Sequence, residues 1–402
     1  MMELGDLSEL IVDCEHKTAP TQETGYPSIR TPNIGRGYLI LDGVNRVSEE
    51  TYQLWTKRAV PQAGDIIMAR EAPVGNAAMV PEGLKPCLGQ RTLLIRPNRS
   101  KVFPAFLNYL LNGPEIQGVI HAKTNGATVA HLNMKDVRAL PIPELPPLSN
   151  QRRIANILSA YDELIENNQR RIRILEDMAR SLYREWFVHF RYPGHKSVPL
   201  TDSPLGQIPQ GWEAKKLGDI AEDMRRNIPK GQLDEPQPYV GLEHIPRRSL
   251  ALDSWEIASE LGSNKLAFKK GEVLFGKIRP YFHKVSIAPF DGLCSADTIV
   301  IRARQPEHYA IVVGCVSSDE FVAHATATSN GSKMPRANWS VLEEHPVVIP
   351  TLTVARQFSA VVEPAIRQMQ TLIFQTINLR RTRDLLLPRL LSGQVALAAA
   401  ES

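Results

Sequence analysis

A chain of 402 residues, 43% hydrophobic and 22% charged, has room for two or three hydrophobic cores and falls outside the compositions of disordered, fibrous and disulfide-stapled proteins. No apolar run reaches the roughly 18 residues of a membrane span, and the opening Met1-Met2-Glu3-Leu4-Gly5-Asp6 has no basic and apolar leader, so a cytoplasmic protein is expected. A formal charge of +4 is too small for a protein that holds a nucleic-acid duplex unaided, because neutralised phosphates supply most nonspecific affinity. What excess there is sits in two segments, with 9 basic against 6 acidic residues over 149–198 and 6 against 3 over 351–402. The four cysteines, Cys14, Cys87, Cys294 and Cys315, lack CxxC or Cys/His ligand spacing and read as buried thiols rather than a metal site.

In chain order, residues 1–148 read as a mixed α and β domain. Short apolar runs at Tyr38–Leu41, Asp65–Ala69 and Thr92–Ile95 predict strands, and Phe103 to Leu111 predicts a helix. The proline cluster from Pro141 to Leu148 then acts as a stiff connector. Ser149 reads as the N-cap of a long helix over 149–192, closed by Tyr192-Pro193-Gly194. Its apolar residues keep a seven-residue period in two series: Ile154, Tyr161, Asn168, Leu175, Leu182, and Leu158, Ile165, Ile172, Ala179, Trp186. Such a stripe is a narrow seam for one facing helix. Asn168 on it is a register candidate or an exposed seam position, and Trp186 with Phe187 either docks a partner or seals the junction with the next domain, a core place being favoured for Trp186.

Residues 193–350 read as a Pro- and Gly-rich linker and a second mixed domain, with strands at Val273–Phe275, Val285–Ile287 and Thr298–Ile301. Over 351–393 a second long helix repeats the seam, with Phe358, Ala365, Leu372, Leu379, Leu386 in one series and Val362, Met369, Thr376, Arg383, Leu390 in the other; Pro364 marks a bend in its first turns, and 394–402 form a short tail. Two equal seams, each following a globular domain, pair most simply with each other in antiparallel fashion.

The halves repeat one plan. Leu4-Gly5-Asp6, Gly64-Asp65-Ile66-Ile67, Cys87, Thr92-Leu93-Leu94-Ile95-Arg96, Asn125-Gly126 and Pro141 are answered in order by Leu217-Gly218-Asp219, Gly271-Glu272-Val273-Leu274, Cys294, Thr298-Ile299-Val300-Ile301-Arg302, Asn330-Gly331 and Pro346. Function is therefore expected in two copies.

With Leu145-Pro146-Pro147-Leu148-Ser149-Asn150-Gln151-Arg152-Arg153-Ile154, the central Asn167-Asn168-Gln169 and the ending Leu385-Leu386-Leu387-Pro388-Arg389-Leu390-Leu391-Ser392-Gly393, this order resembles the specificity subunits of type I restriction-modification systems over nearly the whole chain. The resemblance implies an α+β fold: two mixed α/β target recognition domains in a pseudo-twofold repeat, separated by two long helices that form an antiparallel coiled coil. It implies that each domain reads one half of a bipartite asymmetric site in double-stranded DNA and that the helices set the spacing. It further implies docking of two methylation subunits, with restriction subunits in the full complex. S-adenosylmethionine, ATP and Mg are then expected on those partners and no cofactor or metal in this chain. The second copy departs from the pattern, since Thr351-Leu352-Thr353-Val354-Ala355-Arg356-Gln357 replaces the tidier first helix start.

Missing motifs fit a noncatalytic role. The chain has no Asn-Pro-Pro-aromatic or Asp-Pro-Pro-aromatic tetrapeptide, Gly-rich cofactor fingerprint, Walker loop or HExxH, and Glu213-Ala214-Lys215 lacks the upstream strand of a nuclease. Reading DNA instead needs Arg or Lys for guanine, Asn or Gln for adenine, and basic or amide donors for phosphate. The first-domain candidates are Arg30, Asn33, Arg36, Arg70, Glu71, Gln90, Arg91, Lys123 and Asn125; the second-domain ones are Glu243, Lys277, Arg279, Tyr281, Asp297, Asn330 and Lys333. Arg70 and Arg279 stand out because each follows a matching strand. An alternative reading is a noncatalytic two-headed coiled-coil adaptor that reads no DNA.

Overall fold

A computed structural model describes residues 2–124, 131–331, 333–391 and 394–395. The chain divides into two compact units, Met1–Glu163 with Arg380–Ser402, and Leu164–Leu379. In the first, a four-stranded sheet has the order Ser8–Asp13, Thr92–Pro97, Ile66–Ala69, Ala77–Met79, with every pairing antiparallel. A three-stranded sheet centres on Tyr26–Ile29, which runs parallel to Cys87–Leu88, and a short ladder joins Met2–Glu3 to Pro141–Ile142. Strand Ile66–Ala69 is fully buried because one face meets helix Pro104–Asn112 and the other meets the smaller sheet, so its side chains divide between two apolar clusters.

The second unit repeats this plan. Its four-stranded sheet has the order Ala221–Asp223, Thr298–Ala303, Val273–Gly276, Val285–Ile287, and Gln237–Val240 runs parallel to Gly292–Ser295 within a five-stranded sheet. Glu213–Lys216 pairs with Pro346–Ile349 as Met2–Glu3 pairs with Pro141–Ile142. The exposed Glu213 and Lys215 of that strand pair with each other.

The recurring sequence marks prove to be structural. Asp6 and Asp219 each cap a tight turn, accepting the Glu3 and Lys216 backbone N–H at 3.0 and 2.9 Å, while Leu4 and Leu217 are fully buried. Asp65 and Glu272 cap the turn three residues back through Gln62 N and Lys269 N. Both carboxylates are buried and each takes an arginine fork: Arg96 on Asp65 at 2.7 and 3.0 Å, Arg226 on Glu272 at 2.6 and 2.8 Å. All four cysteines are free and buried, and burial pushes the Cys294 and Cys315 thiols up to about 12.

The central helix runs from Leu148 to Tyr183, and a π-type turn, Arg184–Val188, continues it. Three sequence expectations are corrected here. Ser149 lies inside the helix, because Pro147 O already accepts Asn150 N and Gln151 N. Buried Gln151 ties down the start instead, accepting Phe103 N at 2.8 Å and donating to Pro146 O at 2.9 Å. The helix ends at Val188, short of Tyr192, because the wider turn lets adjacent Trp186 and Phe187 both enter the core and Phe190 then takes a left-handed φ of 55°. Tyr38–Leu41 is a loop carrying one isolated bridge rather than a strand.

The seam holds. Ile154, Leu158, Ile165, Asn168, Ile172, Phe358, Val362, Met369 and Leu372 are buried, and Tyr161, Leu175, Leu182, Leu379 and Leu386 are half-buried. In the first unit Ile154 and Leu158 share a cluster with Leu386 and Leu390; in the second Ile172 meets Leu372, and Trp186 meets Phe358 with ring centroids 5.4 Å apart. These pairings run antiparallel. The C-terminal helix is assigned unbroken from Leu352 to Leu391, with Pro364 on its exposed side, where water can serve the carbonyl that the missing N–H leaves unpaired.

Three histidines of the second unit are held neutral by burial: His283, His308 and, most strongly, His345, whose value falls to about 4 beneath His324. An unfolded histidine binds its proton near pH 6.5, so between there and pH 4 the unfolded chain takes up protons that the folded unit refuses. Stability is complete above pH 6.5 and lost as pH falls through that window. Thermal unfolding at pH 7 and pH 5 is expected to show a drop in Tm that His345→Gln makes smaller.

Candidate nucleic-acid interface

Strands Ile66–Ala69 and Val273–Gly276 end at equivalent points, and the residue after each is held the same way. Arg70 N donates to Arg91 O and Leu132 N to Arg70 O; Lys277 N donates to Asp297 O and Ala337 N to Lys277 O. The ladder therefore equates Arg70 with Lys277, Arg91 with Asp297, and His131 with Arg336. This corrects the pairing of Arg70 with Arg279, which lies two residues further along.

In the first unit this frame is electrostatically closed. Arg70 is 7% exposed; it ion-pairs with Asp13, donates to Leu132 O at 2.9 Å and lies 2.8 Å from His131 Nε2. The structure places Arg70, expected to read DNA, inside the fold, where Nε, Nη1 and Nη2 each have a partner. Glu71 is half-buried and engages exposed Arg91 at 2.8 Å and His131 at 3.2 Å. Arg91 takes a left-handed φ of 66°. Half-buried Gln90 donates to His16 O at 3.3 Å. Asn33 spends both ends of its amide locally, accepting Arg30 N and donating to Ile40 O, so it shapes the loop that holds Arg30 and Arg36 in solvent. Lys123 lies 3.7 Å from Asp136; Asn125 and Gly126 are outside the described residues.

The second unit leaves its frame more open. Lys277 donates to Ala296 O at 3.0 Å, and burial pulls its ammonium below the usual lysine range, against the opposing effect of Asp223. Arg336 reaches Asp297 only at 3.6 Å, and exposed Arg225 pairs with Asp223 at 2.9 Å. Asn330 bridges to Arg336 across the turn that carries Gly331, at φ 104°, and exposed Lys333. Arg279 and His283 both have φ of 51° and bracket the turn Pro280–Phe282, a left-handed pair that costs about 1–3 kcal/mol per residue and requires firm support. His283 provides it at Ser317 O, 3.0 Å away. Arg279 N donates to Pro335 O, its side chain lies over Phe282 at 5.9 Å, and its Nε is buried without a hydrogen-bond partner. Tyr281 is 51% exposed, and Glu243 is exposed on a neighbouring loop.

Lys277, Arg279, Asp297, Asn330 and Lys333 are thus brought to one end of the second unit, joined by Arg336 and Arg225, which the sequence reading missed. The signal for Arg336 was its place six residues after Asn330, across the Gly331 turn. Among the described residues no cluster of three or more metal-ligating side chains occurs, and no helix is long and apolar enough to cross a membrane.

Residues 1–177 match the family model of the type I restriction modification DNA specificity domain. Beyond that domain, the chain is similar along most of its length to specificity subunits of type I restriction enzymes. The specificity subunit of the Methanocaldococcus jannaschii type I restriction enzyme MjaIX is 25% identical over 363 residues, covering 88% of this chain and 82% of the relative. That of the Escherichia coli enzyme EcoDI is 26% identical over 311 residues, covering 72% and 68%. A crystal structure of a type I system S subunit from M. genitalium has the same fold, with a TM-score of 0.59, 15% identity, and coverage of 97% of this chain and 95% of that one. The chain carries two copies of one plan on the frame described above.

Proposed function

We propose that this specificity subunit is the noncatalytic DNA-reading component of a type I restriction-modification complex. Each recognition domain contacts one half of a bipartite, asymmetric site in double-stranded DNA. The helices set the gap and dock two methylation subunits, which restriction subunits join. S-adenosylmethionine, ATP and Mg act on those partners, in the cytoplasm.

The observation that carries this reading is a constant backbone frame with changed side chains. Arg70, Arg91 and His131 occupy the positions of Lys277, Asp297 and Arg336 within the same hydrogen-bond pattern. Two half-sites of different sequence need such an arrangement, because the frame fixes distance to the groove while donors and acceptors select bases. The modest charge of the chain fits partners that supply much of the clamp on phosphate.

Co-expression with a methylation subunit, followed by sizing and mapping of N6-methyladenine, tests the proposal. One specificity chain with two partners, writing a split motif with a fixed gap, is expected; a chain that binds no such partner and directs no split motif would overturn it. Substituting Lys333 and Arg336 by Ala should weaken DNA binding by the assembled complex by about 10- to 100-fold and flatten its salt dependence, with Tm unchanged.

A further inference from the structure

A stretch near the start of each unit recurs at a constant offset. Pro27, Ile34, Arg36, Leu39, Leu41 and Asp42 correspond to Pro238, Ile245, Arg247, Leu250, Leu252 and Asp253, each 211 residues later. The two copies meet opposite fates. In the second unit Leu250, Ala251 and Leu252 are 3%, 8% and 0% exposed; Ala251 packs on Ile172, Leu372 and Ile373 of the two helices, and Glu176 of the central helix accepts the Leu250 and Ala251 backbone N–H. In the first unit the counterparts Leu39, Ile40 and Leu41 are half-buried, 38% exposed and 38% exposed, and Tyr38 beside them is 61% exposed.

The helix sequences differ between the copies in the same sense. Their seams align at an offset of 204, as with Ile154 and Phe358 or Leu158 and Val362. At that offset the counterparts of Ile172, Glu176, Leu372 and Ile373 are Thr376, Arg380, Asn168 and Gln169. In sequence, an apolar set with a carboxylate is answered by a polar set with an arginine, which can donate hydrogen bonds but accept none. The loop is also stiff: Gly35 N donates to Tyr38 O, Ile40 N donates to Asn33 O, and the Tyr38 ring lies so close over Gly35 that a Cβ there would meet it at 2.9 Å. A rigid, apolar tip loses little entropy when covered, and three large apolar side chains exposed within four residues form a patch of the kind that marks contact sites.

We propose that Tyr38, Ile40 and Leu41 form a docking surface for one methylation subunit, which presents to this loop the apolar, acid-bearing helix face that the second unit finds in its own chain. The inference rests on the functional reading above. A protein partner is preferred because the matching loop is buried by helices, and an acidic one because Arg30 and Arg36 lie exposed beside the loop.

Two measurements test it. The chain carrying Tyr38→Ala, Ile40→Ser and Leu41→Ser is expected to bind the methylation subunit at least tenfold more weakly, with Tm unchanged. Separately, Tyr38→Cys places an exposed thiol on a chain whose four native cysteines are buried. Its alkylation should slow at least tenfold when the methylation subunit is added without DNA. Undiminished assembly of the triple variant, or a thiol protected only by DNA, would overturn the proposal and leave the functional reading standing. Failure of the unsubstituted chain to bind the methylation subunit would overturn both.

Discussion

Replacing Glu176 by alanine is expected to lower the stability of the second unit by about 3–5 kcal/mol, because hydrogen bonds to a buried charged acceptor contribute about 1.5–3 kcal/mol each. Glu176 Oε1 accepts Leu250 N at 2.6 Å, Ala251 N at 3.0 Å and Ser249 Oγ at 2.7 Å, and the residue is 4% exposed. Alanine leaves the buried Leu250 N–H without an acceptor and Ala251 N with only its 3.2 Å bond to Ser249 Oγ, beside a cavity, and the recognition domain loses its polar fastening to the helix. Glu176→Gln keeps an acceptor and should cost about 1 kcal/mol, within the range of an ordinary neutral hydrogen bond. Thermal unfolding of the full chain separates the two variants, with Tm falling by about 10 °C for alanine. An equal, small shift for both would show that the three contacts contribute little.

Arg70 and Lys277 occupy equivalent positions, and opposite results are expected from removing them. Arg70→Met strips Asp13 of its arginine in a nearly closed site, leaving it the Cys14 N–H and exposed His16, a change that typically costs about 3–5 kcal/mol. It should appear as a lower denaturation midpoint of the isolated chain, whether or not DNA is present. Lys277→Met, at a half-buried position served by one carbonyl contact, should leave that midpoint within about 1 kcal/mol while weakening DNA binding by the assembled complex. A destabilised Lys277 variant with normal DNA binding would reverse the assignment.

Much of this architecture was legible from residue order. The seam could be read because a seven-residue period is a local property, and Ile154, Leu158, Ile172, Phe358 and Leu372 are buried as their spacing required. The repeat was legible for a similar reason: Asp6 and Asp219, or Asp65 and Glu272, each cap a turn three residues away, so their role travels with the local sequence. The interface was less legible. Arg70 looked like a loop cation because its partner Asp13 lies 57 residues upstream on another strand. Arg279 seemed its counterpart because a turn has no period from which to count, and only the ladder showed that Lys277 holds the place. Tyr38–Leu41 has the composition of a strand yet forms a loop, since its Gly35 N and Ile40 N bonds close it on itself.

By itself, then, the sequence determined the duplicated plan, the long helices with their seams and the resemblance to specificity subunits, all carried by short-range periodicity and motif order. Tertiary structure alone decided which charges face solvent. Burial and ion pairing depend on residues far apart in the chain, and a guanidinium that folding has buried against a carboxylate, as it has Arg70 against Asp13, is not available to DNA.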